Sequence, residues 1–403
     1  MLRFLNDRIS REAGIFKMLS ADGRVLLLCS MLFLFAAPLT GLFVNLYLWK
    51  GTESMVEIGL YNLSFWVGLP IGFIVNGLVL RLIKIKSLFR IGILSQALFP
   101  LLLIVLSETA FSWLFLLGLV NGFGAAFYWA NINFLGYRVN NDETRGYYSG
   151  FDSTLGSFAG IISPVIAGLV VTLSSYQMVF GLAIVTFLLA AWVAGRLSDS
   201  DEKFTFSFDN LFRTRHGRRW WLARTIMVFN GATGGFLLLT GSVLAMSLLG
   251  NELQVGYLNG LLGGWGVVTG YFVARLSSPN RRVVGIKLGV ILAITASIFF
   301  GIWPLALGFV AFLVIRRLED NLSWIISYSV VMKEMDGGGI GEGAKYVYIV
   351  DNEIFLNIGR VLGMGLFFGI LLLVGETSGF RAVLSMAWVF PTMVALLVVK
   401  LNR

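Results

Sequence analysis

Four ionisable side chains crowd into five residues of the stretch IRRLEDNLSW, Ile315 to Trp324: Arg316, Arg317, Glu319 and Asp320. An arginine fork holds a carboxylate by paired hydrogen bonds, and a carboxylate in an apolar setting can exchange such a partner for a proton. On a helix with Arg316 at 0°, Glu319 falls at about −60°, Asp320 at about +40° and Arg317 at about +100°. The four charges thus share an arc of roughly 160°, and Ser323 and Ser327 extend the same stripe. Arg316 reaches Glu319 at i+3 and Asp320 at i+4. Two chemistries fit this pattern. One is an ion-pair cluster that fixes helix packing; the other is a site that contacts a solute or changes partners during a working cycle.

A second constellation is DNEIFLNIGR, residues 351–360. Glu353, Asn357 and Arg360 follow at i, i+4 and i+7 on one stripe, so Asn357 can bridge the two charges. Asp351 points roughly 160° away from Glu353, so a regular helix cannot aim both acids at one place. With Asp152, these stretches hold five acids (Asp152, Glu319, Asp320, Asp351 and Glu353) against three arginines. Arginine keeps its proton, whereas a buried carboxylate can gain one. The excess of acids therefore suits proton coupling, while Arg316, Arg317 and Arg360 suit an anionic group. The first half of the chain offers neutral groups instead. Asn131, Asn133, Tyr128 and Trp129 are its candidates for hydrogen bonding and stacking against an organic solute, with packing the plainer reading of the aromatic pair.

The elements that carry these residues lie in a membrane. Of 403 residues, 57% are hydrophobic and 13% charged, against about 25% charged in soluble domains. Mean hydropathy is +0.83. The net charge of +9 marks membrane sidedness here and not affinity for nucleic acid. A single cysteine, Cys29, excludes an internal disulfide and a multi-cysteine metal site. No Walker phosphate loop is present and the chain does not read as an enzyme; no cofactor or metal is expected.

Spans of about 20 apolar residues number twelve. Spans three and four are read at roughly 87–106 and 111–137, span seven at 222–249, span eight at 253–275 and span ten at 304–333. If IRRLEDNLSW were a loop, Pro304–Ile315 would be too short to cross, so its charges sit mid-span. Alternate loops and both tails hold 26 of the 31 Lys and Arg residues, the opposite loops hold only Lys50 and Arg381, and three arginines lie within spans. That split places both termini in the cytoplasm. The expected organisation is a cytoplasmic segment 1–24, either an interfacial helix or a solvated tail; a six-helix bundle 25–196; a charged cytoplasmic linker 197–221; and a six-helix bundle 222–403. The fold class is all-α integral membrane, with twelve transmembrane helices in two pseudo-symmetric bundles.

Small residues line two of the spans. Span five carries Gly156, Gly160 and Pro164 with neighbouring serines, and span eight carries Gly260, Gly263, Gly264, Gly266 and Gly270. Such faces let helix backbones approach closely.

Twelve spans in two halves, with termini inside and a charged linker, resemble the major facilitator superfamily (MFS) of secondary transporters. That family's loop motif, Gly, three residues, Asp-Arg and a basic run, is partly kept: Gly77 and Arg81 are present without the Asp, and Gly270 and Arg275 form a second partial copy. Gly156, Gly160, Pro164 and Gly168 resemble the Gly/Pro motif of span five in many MFS exporters. FVNLYLWK (43–50), GLYNLSFWVGLP (59–70) and FYWANINFLGY (127–137) further resemble a small bacterial branch, the YqgE-like transporters. The resemblance implies that span ten lines a central cavity, that spans five and eight meet between the halves, and that the halves rock by alternating access. It also implies a monomer working among membrane lipids on a small-molecule solute and protons, in a bacterial cytoplasmic membrane. Proton-coupled export of a small organic or amphipathic solute is the leading expectation. Proton-driven uptake of an anionic solute, a lipid flippase, and a non-transporting membrane sensor or scaffold are the alternatives.

Overall fold

The computed structural model describes residues 19–139, 142–198, 217–276, 281–336 and 342–402, and every regular element among them is helical. Residues 1–18 and 199–216, which hold most of the expected interfacial segment and linker, lie outside the described residues. The first half contributes α1 (Ala21–Thr52), α2 (Met55–Val79), α3 (Ile85–Leu106), α4 (Leu114–Arg138), α5 (Asp142–Leu173) and α6 (Tyr176–Ala194). The second half contributes α7 (Arg218–Phe236), α8 (Ala245–Leu249), α9 (Glu252–Leu276), α10 (Arg282–Ile302), α11 (Ala306–Asp336), α12 (Glu342–Val374), α13 (Glu376–Ser385) and α14 (Val389–Leu401).

Local chemistry sets the boundaries. The hydroxyls of Ser20, Ser54 and Ser175 accept hydrogen bonds from backbone N–H groups at the starts of α1, α2 and α6, satisfying donors that have no partner within the helix. Gly250 ends α8 at φ +88°, a left-handed conformation that glycine adopts without a Cβ clash. Among the described residues, nine segments are long and apolar enough to cross a membrane. One of them, 85–136, comprises α3 and α4, which pack side by side across a 3-10 turn at Ser107–Trp113. The helices α9 and α11 fall outside the nine. In α11 the charged run of 316–320 is the reason, and α11 nonetheless runs unbroken through IRRLEDNLSW.

Span seven differs from its expected continuous helix. After Phe236 the chain turns at Leu237–Leu239, makes one π turn at Thr240–Leu244 and only then resumes as α8. Gly234, Gly235 and Gly241 flank the break, where the missing side chains make unwinding cheap.

Glycine seams hold the helices together. A Cβ on Gly118 or Gly122 of α4 would lie 2.3 or 2.1 Å from the carbonyl oxygens of Tyr61 and Phe65 on α2. A Cβ on Gly256, Gly260 or Gly263 of α9 would lie 2.5–2.8 Å from the carbonyl oxygens of Pro164, Ile161 and Gly160 on α5. Gly231 and Gly235 of α7 meet the backbone of Leu356 and Arg360 on α12 in the same way, and Gly359 and Gly363 return the contact. Each seam repeats a small residue every three or four positions, so backbones touch where side chains would hold them apart. The α5–α9 seam and the α2–α12 contact join the two halves of the chain.

Candidate functional site

A cavity of about 700 Å³ lies between the two halves. Pro38 and Leu42 of α1 and Gly160 and Pro164 of α5 form its first-half wall. The unwound segment after α7, together with Asn259, Leu262 and Gly263 of α9, forms much of the second-half wall. Asn230, Thr233 and Gly234 of α7 and Pro391 of α14 add to it, and the face of α11 from Phe312 to Trp324 brings Arg316, Arg317, Glu319, Asp320, Asn321 and Ser323 to the same surface. The sequence cluster is therefore a cavity wall, as its helical arc implies.

Within it the four charges divide unequally. Arg316 is 3% exposed and Glu319 0%. They form an i,i+3 ion pair, and the Ser323 hydroxyl donates to Glu319 Oε1 at 2.5 Å. Asp320, its side chain 47% exposed, takes Arg316 Nη2 at 2.6 Å. One guanidinium is thus shared by a sealed carboxylate and an open one. Burying charge at mid-membrane costs about 2.5–3.5 kcal/mol per group on insertion scales, and mutual pairing is how such groups persist. Arg317 turns to the other flank and lies against Gly266 of α9, where a Cβ would stand 2.5 Å from its Nε. Asn321 fixes α11 to α9 at that level by donating to the Gly266 carbonyl at 2.9 Å and to Thr269 Oγ1 at 2.7 Å.

The α12 constellation forms but faces elsewhere. Arg360 Nη1 donates to Asn357 Oδ1 at 2.9 Å, and Asn357 Nδ2 donates to Glu353 Oε2 at 3.3 Å, so the amide bridges the two charges. Its Arg360 end lies on α2, where the guanidinium covers the Trp66 ring at 4.2 Å, and none of the three residues lines the cavity. Glu353 and Arg360, the α12 candidates for proton coupling and anion binding, thus stand apart from the residues that line the α11 cavity. Asp351 diverges as its angle requires. It takes Arg224 in a two-pronged ion pair, Nη2 to Oδ1 at 2.6 Å and Nε to Oδ2 at 2.9 Å, and accepts from Trp220 Nε1 at 3.1 Å. Asp351 therefore ties α7 to α12 and does not line the cavity.

Of the first-half candidates, Gly160 and Pro164 line the cavity, whereas Tyr128, Trp129, Asn131, Asn133 and Asp152 do not. Tyr128 is fully buried and stacks between Phe33 and Phe89 in the packing of α1, α3 and α4. Asn131, on nearly the same face of α4, is also fully buried and pairs with Asn76 of α2. Trp129 is 39% exposed on the other side of α4, a face shared with the exposed Asn133 at i+4. Asp152 sits on α5 beside Ser30 and Tyr148, with Oδ1 buried and without a hydrogen bond. Of the small residues, Gly160, Pro164 and Gly263 meet at the α5–α9 seam. Gly156 packs on Leu34 of α1, while Gly266 and Gly270 face Arg317 and Asn321 of α11.

Two polar fastenings between the halves went unread in the sequence. At the end where α1 begins, Tyr346 of α12 donates to the Phe73 carbonyl at 3.0 Å and accepts from Asn76 Nδ2 at 3.0 Å. At the opposite end, Glu252 of α9 pairs with Lys50 of α1 and accepts from the Tyr176 hydroxyl of α6 at 2.9 Å. Only the residue types were visible beforehand; their meeting depends on which helix ends adjoin.

The chain is 29% identical to the uncharacterized protein YqgE of Bacillus subtilis (strain 168) over 350 residues, 85% of this chain and 80% of that protein. It is 34% identical to an uncharacterized protein in the sodM 3' region of Geobacillus stearothermophilus over 149 residues, 37% of this chain and 70% of that protein. Among solved structures, a bacterial homologue of the iron transporter ferroportin in its inward-facing state superposes with a TM-score of 0.70 at 13% identity, covering 94% of this chain and 98% of the other. The fucose:proton symporter of E. coli superposes with a TM-score of 0.66 at 16% identity, with the same coverage. At such identities the likeness is one of fold. The sequence model of the Major Facilitator Superfamily matches residues 26–363, and the chain belongs to that family.

Proposed function

We propose that this protein is a proton-coupled secondary transporter that carries a small organic solute across the cytoplasmic membrane by alternating access. In this reading the chain crosses twelve times with both termini in the cytoplasm. The nine apolar segments support that count, since one of them holds two helices and the cavity-lining α9 and α11 add two more. The 26-to-2 division of basic residues supports the orientation. The observation that carries the coupling is the sharing of Arg316 between the sealed Glu319 and the open Asp320 at a cavity between the halves. Either acid, on taking a proton, leaves the arginine to the other, so protonation and the arrangement of the cavity wall are linked. One relative in fold is a proton symporter, which agrees with this reading.

The test uses purified protein in liposomes with a pH-sensitive dye inside, a panel of organic solutes outside, and gradients imposed in both directions. Solute-dependent proton movement that disappears in well-folded Glu319→Gln or Asp320→Asn protein, but persists in Glu353→Gln, supports the proposal. Solute flux without proton movement, unaltered by all three substitutions, refutes the coupling. Absence of flux with any solute favours a sensor or scaffold.

A further inference from the structure

The α11 cluster contains one charge that its own neighbours do not neutralise. Arg316 has two carboxylates, whereas Arg317, the next residue, has no acid within ion-pair distance among the described residues, although it is exposed in the cavity wall. Its position is built. Gly266 leaves the room that the guanidinium occupies against α9, and Asn321, one turn on, is tied to both Gly266 and Thr269. A second donor beside it is also unspent: Arg316 Nε is buried without a hydrogen-bond partner. Buried donors without acceptors are uncommon in folded proteins and costly to keep.

Two turns further along α11, Trp324 lines the same cavity, 42% exposed, with its ring stacked on Tyr328 at 5.4 Å. The helix rise puts the two Cα atoms about 10 Å apart. Elsewhere the wall is apolar at Leu42, Leu262 and Phe312 and carries neutral polar groups at Asn230 and Asn259.

We propose that Arg317 is the receptor for the anionic group of the transported solute, and that the solute is an organic monoanion whose flat or apolar body lies along the cavity toward Trp324. A guanidinium fork matches a carboxylate or sulfonate by two parallel hydrogen bonds, and a ring face packs on indole. A cationic solute would meet a charge of its own sign in Arg317, and a neutral one would leave that charge without a partner. This inference rests on the transport reading above for its use of the cavity, but the binding it asserts is measured separately.

The experiment is calorimetric titration of the full chain in lipid nanodiscs with three compounds that share one ring: indole-3-acetate, indole-3-acetamide and tryptamine. Indole-3-acetate is expected to bind at least about tenfold more tightly than the other two. Arg317→Gln removes that preference, Arg317→Lys weakens it because an ammonium lacks the fork, and Arg381→Gln, far from the cavity, leaves it intact. Gel filtration and melting verify that each variant is folded; if the glutamine variant is not, the lysine variant carries the comparison. Equal or tighter binding of the amide or the amine, a preference that survives in Arg317→Gln, or no binding of any of the three to the wild-type chain would each overturn the proposal. Carboxylate binding without coupled flux in liposomes would sink the transport reading and leave the anion site standing. Proton-coupled flux of tryptamine would do the reverse.

Discussion

Asn76 and Asn131 exchange side-chain hydrogen bonds at 2.8 and 3.2 Å, a closed amide pair between α2 and α4. The pair is itself the platform for the second half of the chain, because Asn76 also donates to the Tyr346 hydroxyl. Tyr346→Phe deletes two inter-half hydrogen bonds and leaves the amide pair in place. The expected cost is about 1–2 kcal/mol, read as a lower melting temperature and faster hydrogen exchange at the start of α12. Unchanged melting and exchange would show that the hydroxyl fastens nothing.

The opposite fastening responds to acid. Burial pushes the Glu252 carboxyl up, but Lys50, its own backbone N–H and the Tyr176 hydroxyl outweigh burial and hold it below the ordinary glutamate value of 4.5. A depressed folded-state pKa means stability that is complete above the unfolded value and lost as pH falls through the folded one. Wild-type protein should therefore melt above Glu252→Gln at neutral pH, with the gap closing below a pH of about 4.5. A gap that stays constant down to pH 3 contradicts the assignment.

Arg316 compensates a carboxylate that water does not reach. Arg316→Met leaves Glu319 buried with only Ser323 as partner, at an expected cost of about 3–5 kcal/mol. The double variant Arg316→Met/Glu319→Met removes both members and should recover most of that loss. Chemical denaturation of the four proteins of the cycle measures it, and a double variant as unstable as the single one would mean that the pair does not act as a unit.

Neighbouring glycines of α9 should differ in tolerance. A Cβ on Gly263 would stand 2.6 Å from the Gly160 carbonyl oxygen, whereas one on Gly264 meets only the Ile161 side chain at 3.8 Å. Gly263→Ala forces the two backbones apart, at about 1–3 kcal/mol, while Gly264→Ala should be close to neutral. Equal stability of the two variants would refute the backbone contact.

Helical geometry made part of this site legible in the sequence. The i+3 and i+4 partners of Arg316, the bridging role of Asn357 and the divergence of Asp351 all follow from 100° per residue, and the structure shows each of them. Angles along one helix do not say which neighbour each arc meets. Arg360 lies against Trp66 of α2 and outside the cavity lining, Asn131 pairs with Asn76, and Tyr128 takes the plainer of its two readings, packing between Phe33 and Phe89. A small-residue pattern was present to be read at Gly231/Gly235 and Gly359/Gly363, and it would have paired α7 with α12. The break after Phe236 had weaker signals, since its glycines sit in a stretch that reads as uniformly apolar.

The fastenings at the two ends of the bundle are built from different interactions. One is a set of neutral dipoles at Asn76, Asn131 and Tyr346, and the other contains a formal ion pair, Lys50 with Glu252, whose lysine side chain is 48% exposed. Mobile ions screen exposed charges over about 8 Å at physiological strength and leave neutral hydrogen bonds almost untouched. Ionic strength thus acts as a one-sided lever. Added salt is expected to loosen the end at Lys50 while the end at Tyr346 keeps its hold, so under the proposed alternating access the preference between the two openings would shift with the salinity of the medium.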